Sequence, residues 1–200
     1  VLSATLRGQG HRVSTDQVEM SSTRFDPSLI CGTVDIEGLL DGLRATGQTR
    51  MCFYGPPGSG KTAAARWLAE QLDRPIHVRR ASDLLSPYVG ETEKNIAAAF
   101  SVATREEGVL LLDEVDSFLQ SRIGAHQRWE VGLVNEMLTQ MEQFNGIFIA
   151  STNRFVDLDE AAMRRFDFKI SFGYLKPDRL TAMFVQCCEE WGLAMPDNSL

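Results

Sequence analysis

The chain has 200 residues, of which 44% are hydrophobic and 24% charged, and its formal net charge is -7. These values describe one domain of ordinary size with a full hydrophobic core and room for part of a second. The acidic balance counts against a broad footprint for duplex nucleic acid, although a local basic patch is compatible with it. No apolar run approaches the ~18 residues of a membrane helix, and the N-terminal stretch holds no apolar signal core. The four cysteines (Cys31, Cys52, Cys187, Cys188) and three histidines (His11, His77, His126) match no metal framework. A core of this size needs no disulfide staples, which points to reduced thiols and a cytoplasmic setting. The chain begins at Val1 without a methionine and stops at Leu200, and it reads as a piece of a longer protein.

Residues 1–25 are polar and weakly patterned, and no firm structure is expected there. From residue 50 onward, short apolar runs alternate with amphipathic stretches. The runs are "RMCFY" (50–54), "IHVRR" (76–80), "GVLLLD" (108–113), "GIFIAS" (146–151) and "FKISF" (168–172). Between them, Ile96 and Phe100 recur at helical spacing, as do Val131, Val134, Leu138 and Met141. This alternation predicts an α/β fold, a parallel sheet with helices on both faces. The strands read as apolar throughout because both of their faces are buried. From Pro177, "PDRLTAMFVQCCEEW" predicts one helix with Met183, Phe184, Cys187, Cys188 and Trp191 along one side, and the cysteine pair in the core. Met137, Met141, Met163 and Met183 are expected to fill the core.

The segment "GPPGSGKT" (55–62) follows a predicted strand and opens the helix "GKTAAARWLAEQL". It matches G-x-x-x-x-G-K-[ST] at every fixed position and in the required context. At average glycine usage, a chance match in a chain of this length is under about 1%. Glycines let successive backbone N–H groups turn inward toward phosphate oxygens, and the helix N-terminus adds its partial positive charge. Gly55, Pro56, Pro57, Gly58, Ser59, Gly60, Lys61, Thr62 and Ala63 are therefore the expected nucleotide contacts. Lys61 can reach the β- and γ-phosphates of ATP, and the Thr62 hydroxyl can ligate Mg²⁺.

"GVLLLDEVD" (108–116) is a buried strand ending in carboxylates. Ligands bind at the carboxyl end of the strands in a parallel sheet. Asp113 is expected in the Mg²⁺ shell, and Glu114 as the group that orients and deprotonates the attacking water. Acidic residues also favour a helix N-terminus, which is the simpler account of this pair. Asp116 is expected to be structural, through a cap or a salt bridge.

With these motifs in this order, about residues 26–191 resemble the AAA+ ATPases of the AAA proper group. "DEVDSFLQSR" and "LDEAAMRRF" are most similar to the katanin- and spastin-like subgroup. The resemblance implies a five-stranded P-loop NTPase sheet in the order 5-1-4-3-2, sandwiched by helices. It also implies a large ATPase subdomain over 26–175 and the start of a truncated C-terminal helical lid over 176–200. The "GIFIAS" strand then lies between the phosphate-loop strand and the "LLLDE" strand, which puts Asn153 between Lys61 and Glu114 as sensor 1. A turn-forming asparagine is the simpler account. The resemblance makes one or both of Arg164 and Arg165 the finger that reaches a neighbouring subunit's nucleotide. A helix-terminal pair favoured by the dipole is the alternative. Adenine is expected to meet the backbone at Cys31 or Gly32.

The resemblance also implies a homo-oligomer, a hexamer in its ATP state, that remodels or threads a protein substrate. In the stretch "SPYVGE" (86–91), Tyr88, Val89 and Gly90 match the first pore loop, although burial of Tyr88 and Val89 remains the other reading. "RIGAHQR" (122–128) is either a second channel loop or a plain connection. A nucleotide-dependent assembly switch or DNA-linked loader is the alternative function. It needs a basic DNA-facing element, which the acidic balance disfavours.

Overall fold

The computed structural model describes residues 36–119, 128–175 and 177–193. The apolar runs become β1 (Thr49–Tyr54), β2 (Ile76–Arg80), β3 (Val109–Asp113), β4 (Ile147–Thr152) and β5 (Phe168–Ser171). They form one sheet in the order β2-β3-β4-β1-β5. Every pairing is parallel. This is the expected order read from the other edge, with β4 between β1 and β3. The β3–β4 ladder ends at the pair Leu112–Ala150, whereas β4 stays in register with β1 out to Thr152 and Tyr54.

Helices cover both faces: α1 (Ile36–Thr46), α2 (Lys61–Gln71), α3 (Ala81–Leu84), α4 (Glu91–Arg105), α5 (Arg128–Gln143), α6 (Glu160–Arg165) and α7 (Pro177–Glu190). Successive strand residues point to opposite faces, so the core divides in two. Met51, Phe53, Leu111 and Ile149 pack with Leu40 and Leu43 of α1 and Leu68 of α2. Cys52, Leu110, Leu112, Phe148 and Ala150 pack with Ile96 and Phe100 of α4 and Val134, Met137 and Met141 of α5. Burial pushes the Cys52 thiol up to about 12, with a smaller rise from Asp116 and an opposing pull from Lys169. This thiol stays protonated and behaves as a small hydrophobe.

Two expectations need correction. The strands are not all buried on both faces: β2 is half-buried, and Phe168 and Lys169 of β5 are exposed. These are the sheet's edge strands, which have a neighbour on one side only. The second correction concerns α7. Cys188 is buried, but Cys187 is only half-buried, and Met183, Phe184 (52% exposed) and Trp191 (63%) face outward. Helical periodicity identified an apolar side, and the described part of the domain covers little of it. Met137 and Met141 are fully buried and Met163 packs against the core, as expected, whereas Met183 does not.

Met137→Ala is therefore expected to cost about 2–5 kcal/mol by cavity formation. Met183→Ala should stay within about 0.5 kcal/mol, as for a surface site. Urea unfolding of both variants measures the contrast.

Candidate functional site

The site is built where β1 ends. Gly55 has φ 145°, and a Cβ there would lie 2.0 Å from the carbonyl oxygen of Phe172, so the chain leaves β1 through a gap only glycine fits. Its N–H donates to the Thr152 carbonyl at 3.2 Å. Pro57 and Gly58 form the exposed apex of the loop. The Ser59 hydroxyl closes it by donating to the Pro56 carbonyl at 2.7 Å. Gly60 then precedes α2 with no side-chain cap, and the first turn carries no acidic residue. The first N–H groups of α2 keep their capacity to bind an anion from outside the helix.

Lys61 is buried. Its Nζ donates to the carbonyls of Gly55 (2.9 Å) and Pro56 (2.9 Å) and to Asn153 Oδ1 (2.7 Å). Three acceptors match the three protons of an ammonium group. Burial holds its pKa below the ordinary 10.5, while Asp113 and Asp116 push the other way. Asn153 follows the last residue of β4, so the strand order brings it to the loop.

The acidic side adjoins this group. Asp113 Oδ2 accepts from the Thr62 hydroxyl at 3.1 Å. Its Oδ1 accepts from the Ser151 hydroxyl and from the Glu114 N–H, the latter at 3.2 Å. Glu114 is exposed, with φ 58° and ψ 46°, left-handed values that are uncommon for a non-glycine residue. Strain of this kind persists where surrounding structure enforces it, and it concentrates at functional sites. Asp116 accepts from the Thr152 hydroxyl. It is thus tied to the next strand, which gives it the structural role expected of it.

Among the described residues, no three His, Cys, Asp or Glu side chains are grouped to hold a metal. The Thr62–Asp113 pair nonetheless fits Mg²⁺, which takes one or two protein oxygens and fills its octahedron with water and phosphate oxygens. Ser151 and Thr152 are the site residues that sequence reasoning missed. Their signal was the change from apolar to hydroxyl side chains at the end of "IFIAST".

A family model for the "ATPase family associated with various cellular activities (AAA)" matches residues 51–174, more than half of the chain. The chain belongs to the AAA family of ATPases. Fidgetin-like protein 1 of Caenorhabditis briggsae is 36% identical over 150 residues, which are 72% of this chain and 25% of that protein. Spastin of Drosophila melanogaster is 38% identical over 136 residues, 64% of this chain and 18% of that protein. The crystal structure of the FIGL-1 AAA domain in complex with ADP has a TM-score of 0.60 to this chain at 32% identity, covering 71% of this chain and 49% of that one. These relatives agree with the subgroup to which the motifs pointed. The chain spans a quarter or less of the length of these curated relatives.

Two further elements of this AAA domain lie away from Lys61. α6 begins at Asp159, whose side chain accepts the Ala161 N–H at 2.9 Å, and it ends in the arginine pair. Arg164 is exposed and pairs with Glu160 one turn back. Arg165 reaches Glu142 Oε1 of α5 at 2.6 Å and the Ala161 carbonyl at 2.8 Å. Neither belongs to the hydrogen-bond group around Lys61. Beyond the far edge strand, the 86–91 loop is fastened at its base. Ser86 N–H donates to the Thr92 hydroxyl at 2.9 Å, and the Ser86 hydroxyl donates to Glu91 at 2.5 Å. Above that base, Tyr88 is 71% exposed and Val89 105%. Gly90, with φ 79°, turns the chain into α4. Cys31, Gly32 and residues 122–127 lie outside the described residues.

The depressed Lys61 pKa has a signed consequence. Between its folded pKa and 10.5, the unfolded chain binds more protons, so this group makes stability rise with pH across that window. In nucleotide-free protein, Lys61→Met should remove this contribution. Melting curves from pH 8 to 10.5 should show the variant gaining less with pH than the parent.

Proposed function

We propose that this chain is the ATP-hydrolysing module of a ring-forming AAA ATPase, a homohexamer in its ATP state, that threads or remodels a protein substrate in the cytoplasm. The free cysteines Cys52, Cys187 and Cys188 support a reducing compartment. In this reading, the 55–63 loop wraps the phosphates and Lys61 moves from the loop carbonyls onto β- and γ-phosphate oxygens. Adenine rests on the backbone near Cys31 and Gly32. Mg²⁺, held by Thr62 and Asp113, neutralises phosphate charge when bound. Glu114 orients and deprotonates the attacking water, and the Asn153 amide fixes that water or the γ-phosphate. An arginine fork suits phosphate oxygens. In this reading one or both of Arg164 and Arg165 reach a neighbouring copy's site, and the exposure of Arg164 at the end of α6 supports it in that role.

One observation carries the threading part. Tyr88 and Val89 stand in water on a loop whose base is hydrogen-bonded and whose turn is set by Gly90. Large apolar side chains raised on a fastened loop suit gripping an extended polypeptide, which burial in a core would prevent.

For the chemistry, Glu114→Gln and the double variant Arg164→Ala, Arg165→Ala should each bind ATP with the parent's Kd. Each should lose turnover by about 10³-fold or more. Normal steady-state hydrolysis by either variant removes the corresponding role. For threading, Tyr88→Ala should keep ATPase activity within about threefold and lose substrate processing, because it touches no phosphate contact. An unfolded Tyr88→Ala variant, or one that processes substrate normally, contradicts the pore reading.

A further inference from the structure

Backbone pairing between β3 and β4 stops at Leu112 and Ala150. Beyond it, two side-chain bonds hold the strand ends together: Ser151 donates to Asp113, and Thr152 donates to Asp116. Glu114 lies between those two carboxylates in the chain. Its left-handed backbone is thus flanked by fastenings to consecutive residues of β4. The Thr152 hydroxyl has a second partner, because its oxygen accepts the Arg154 N–H at 2.8 Å. Thr152 and Arg154 flank Asn153, whose Oδ1 meets Lys61. One buried hydroxyl therefore joins the segment carrying Glu114 to the turn carrying Asn153.

We propose that Thr152 and Asp116 are positioning residues of the ATPase reaction. Their bond sets where Glu114 stands relative to Asn153, and it acts on turnover with little effect on nucleotide affinity. The proposal rests on the reading of Glu114 as the base. Neither residue needs to touch nucleotide. The Thr152 hydroxyl donates to Asp116 while its oxygen accepts the Arg154 N–H, so both its donor and an acceptor site are used. Both partners are partly or fully buried, so loss of either leaves a polar group unpaired and frees the segment it held.

The test measures kcat and KM for ATP, nucleotide Kd and Tm on the full chain. Thr152→Val keeps the shape and removes the hydroxyl. Its kcat should fall on the order of 10²-fold, the scale of a misplacement of about 1 Å, with KM and Kd within about threefold. Thr152→Ser restores the hydroxyl and should return kcat to within about threefold of the parent. Asp116→Ala should reproduce the loss from the other partner, and it supplies the comparison if Thr152→Val does not fold. The double variant should lose no more than the worse single one, because the Thr152–Asp116 bond is removed by either substitution alone. Parent-like kcat in Thr152→Val, no rescue by serine, or a loss confined to KM and Kd overturns the proposal. Glu114→Gln, measured alongside, separates the two failures. A dead Glu114→Gln with an unimpaired Thr152→Val sinks only the positioning role, whereas an active Glu114→Gln sinks the reading beneath it.

Discussion

The structure depends on one buried ammonium. Lys61 is taken out of water at the end of β1 and satisfied by two loop carbonyls and the Asn153 amide oxygen. A buried charge is tolerated only when its partners are in place. Supplying them takes three separate chain segments. Gly55 must turn where no side chain fits, α2 must start uncapped, and β4 must lie beside β1 so that Asn153 arrives at the loop. The crossover order of the sheet is thus a condition on the site. With another strand between β4 and β1, Lys61 would lack its third acceptor.

The carboxylate side answers to the same constraint. Asp113 and Asp116 are close enough for their charge to favour the ammonium against the pull of burial. Each is also held by a hydroxyl from β4. Between them, Glu114 keeps a backbone conformation that a non-glycine residue adopts at a cost of about 1–3 kcal/mol. Strain and a depressed lysine pKa both weaken the chain in order to keep groups ready for an anion, the usual conflict between stability and activity.

Much of this was legible because local chemistry demanded it. "GPPGSGKT" after a strand specifies a phosphate loop, and charged residues ending a buried strand specify a polar edge. The strand runs and helical periods located the five strands and α2, α4, α5 and α7 to within a few residues, whereas α1 and α3 were not anticipated. The relation between strands was different. That β4 lies between β1 and β3 came from resemblance, since periodicity says nothing of pairing order. The hydroxyl–carboxylate bonds of Ser151 and Thr152 are long-range contacts, and a serine and a threonine carry no local mark of such partners. The α7 error has a related cause: a moment of hydrophobicity shows that a helix has an apolar side, but not what covers it. Tyr88 and Val89 illustrate the same limit, because their exposure depends on a loop base formed by Ser86, Glu91 and Thr92.

Lys61 links fold and function, because the group that the loop carbonyls hold is the one meant for the phosphates. The most direct measurement is therefore the titration of the Lys61 side chain by NMR, with and without ATP. The account predicts a midpoint below 10.5 in the free protein and an upward shift on binding, as phosphate oxygens favour the ammonium. An unperturbed midpoint in the free protein, or one that ATP leaves unmoved, would contradict it.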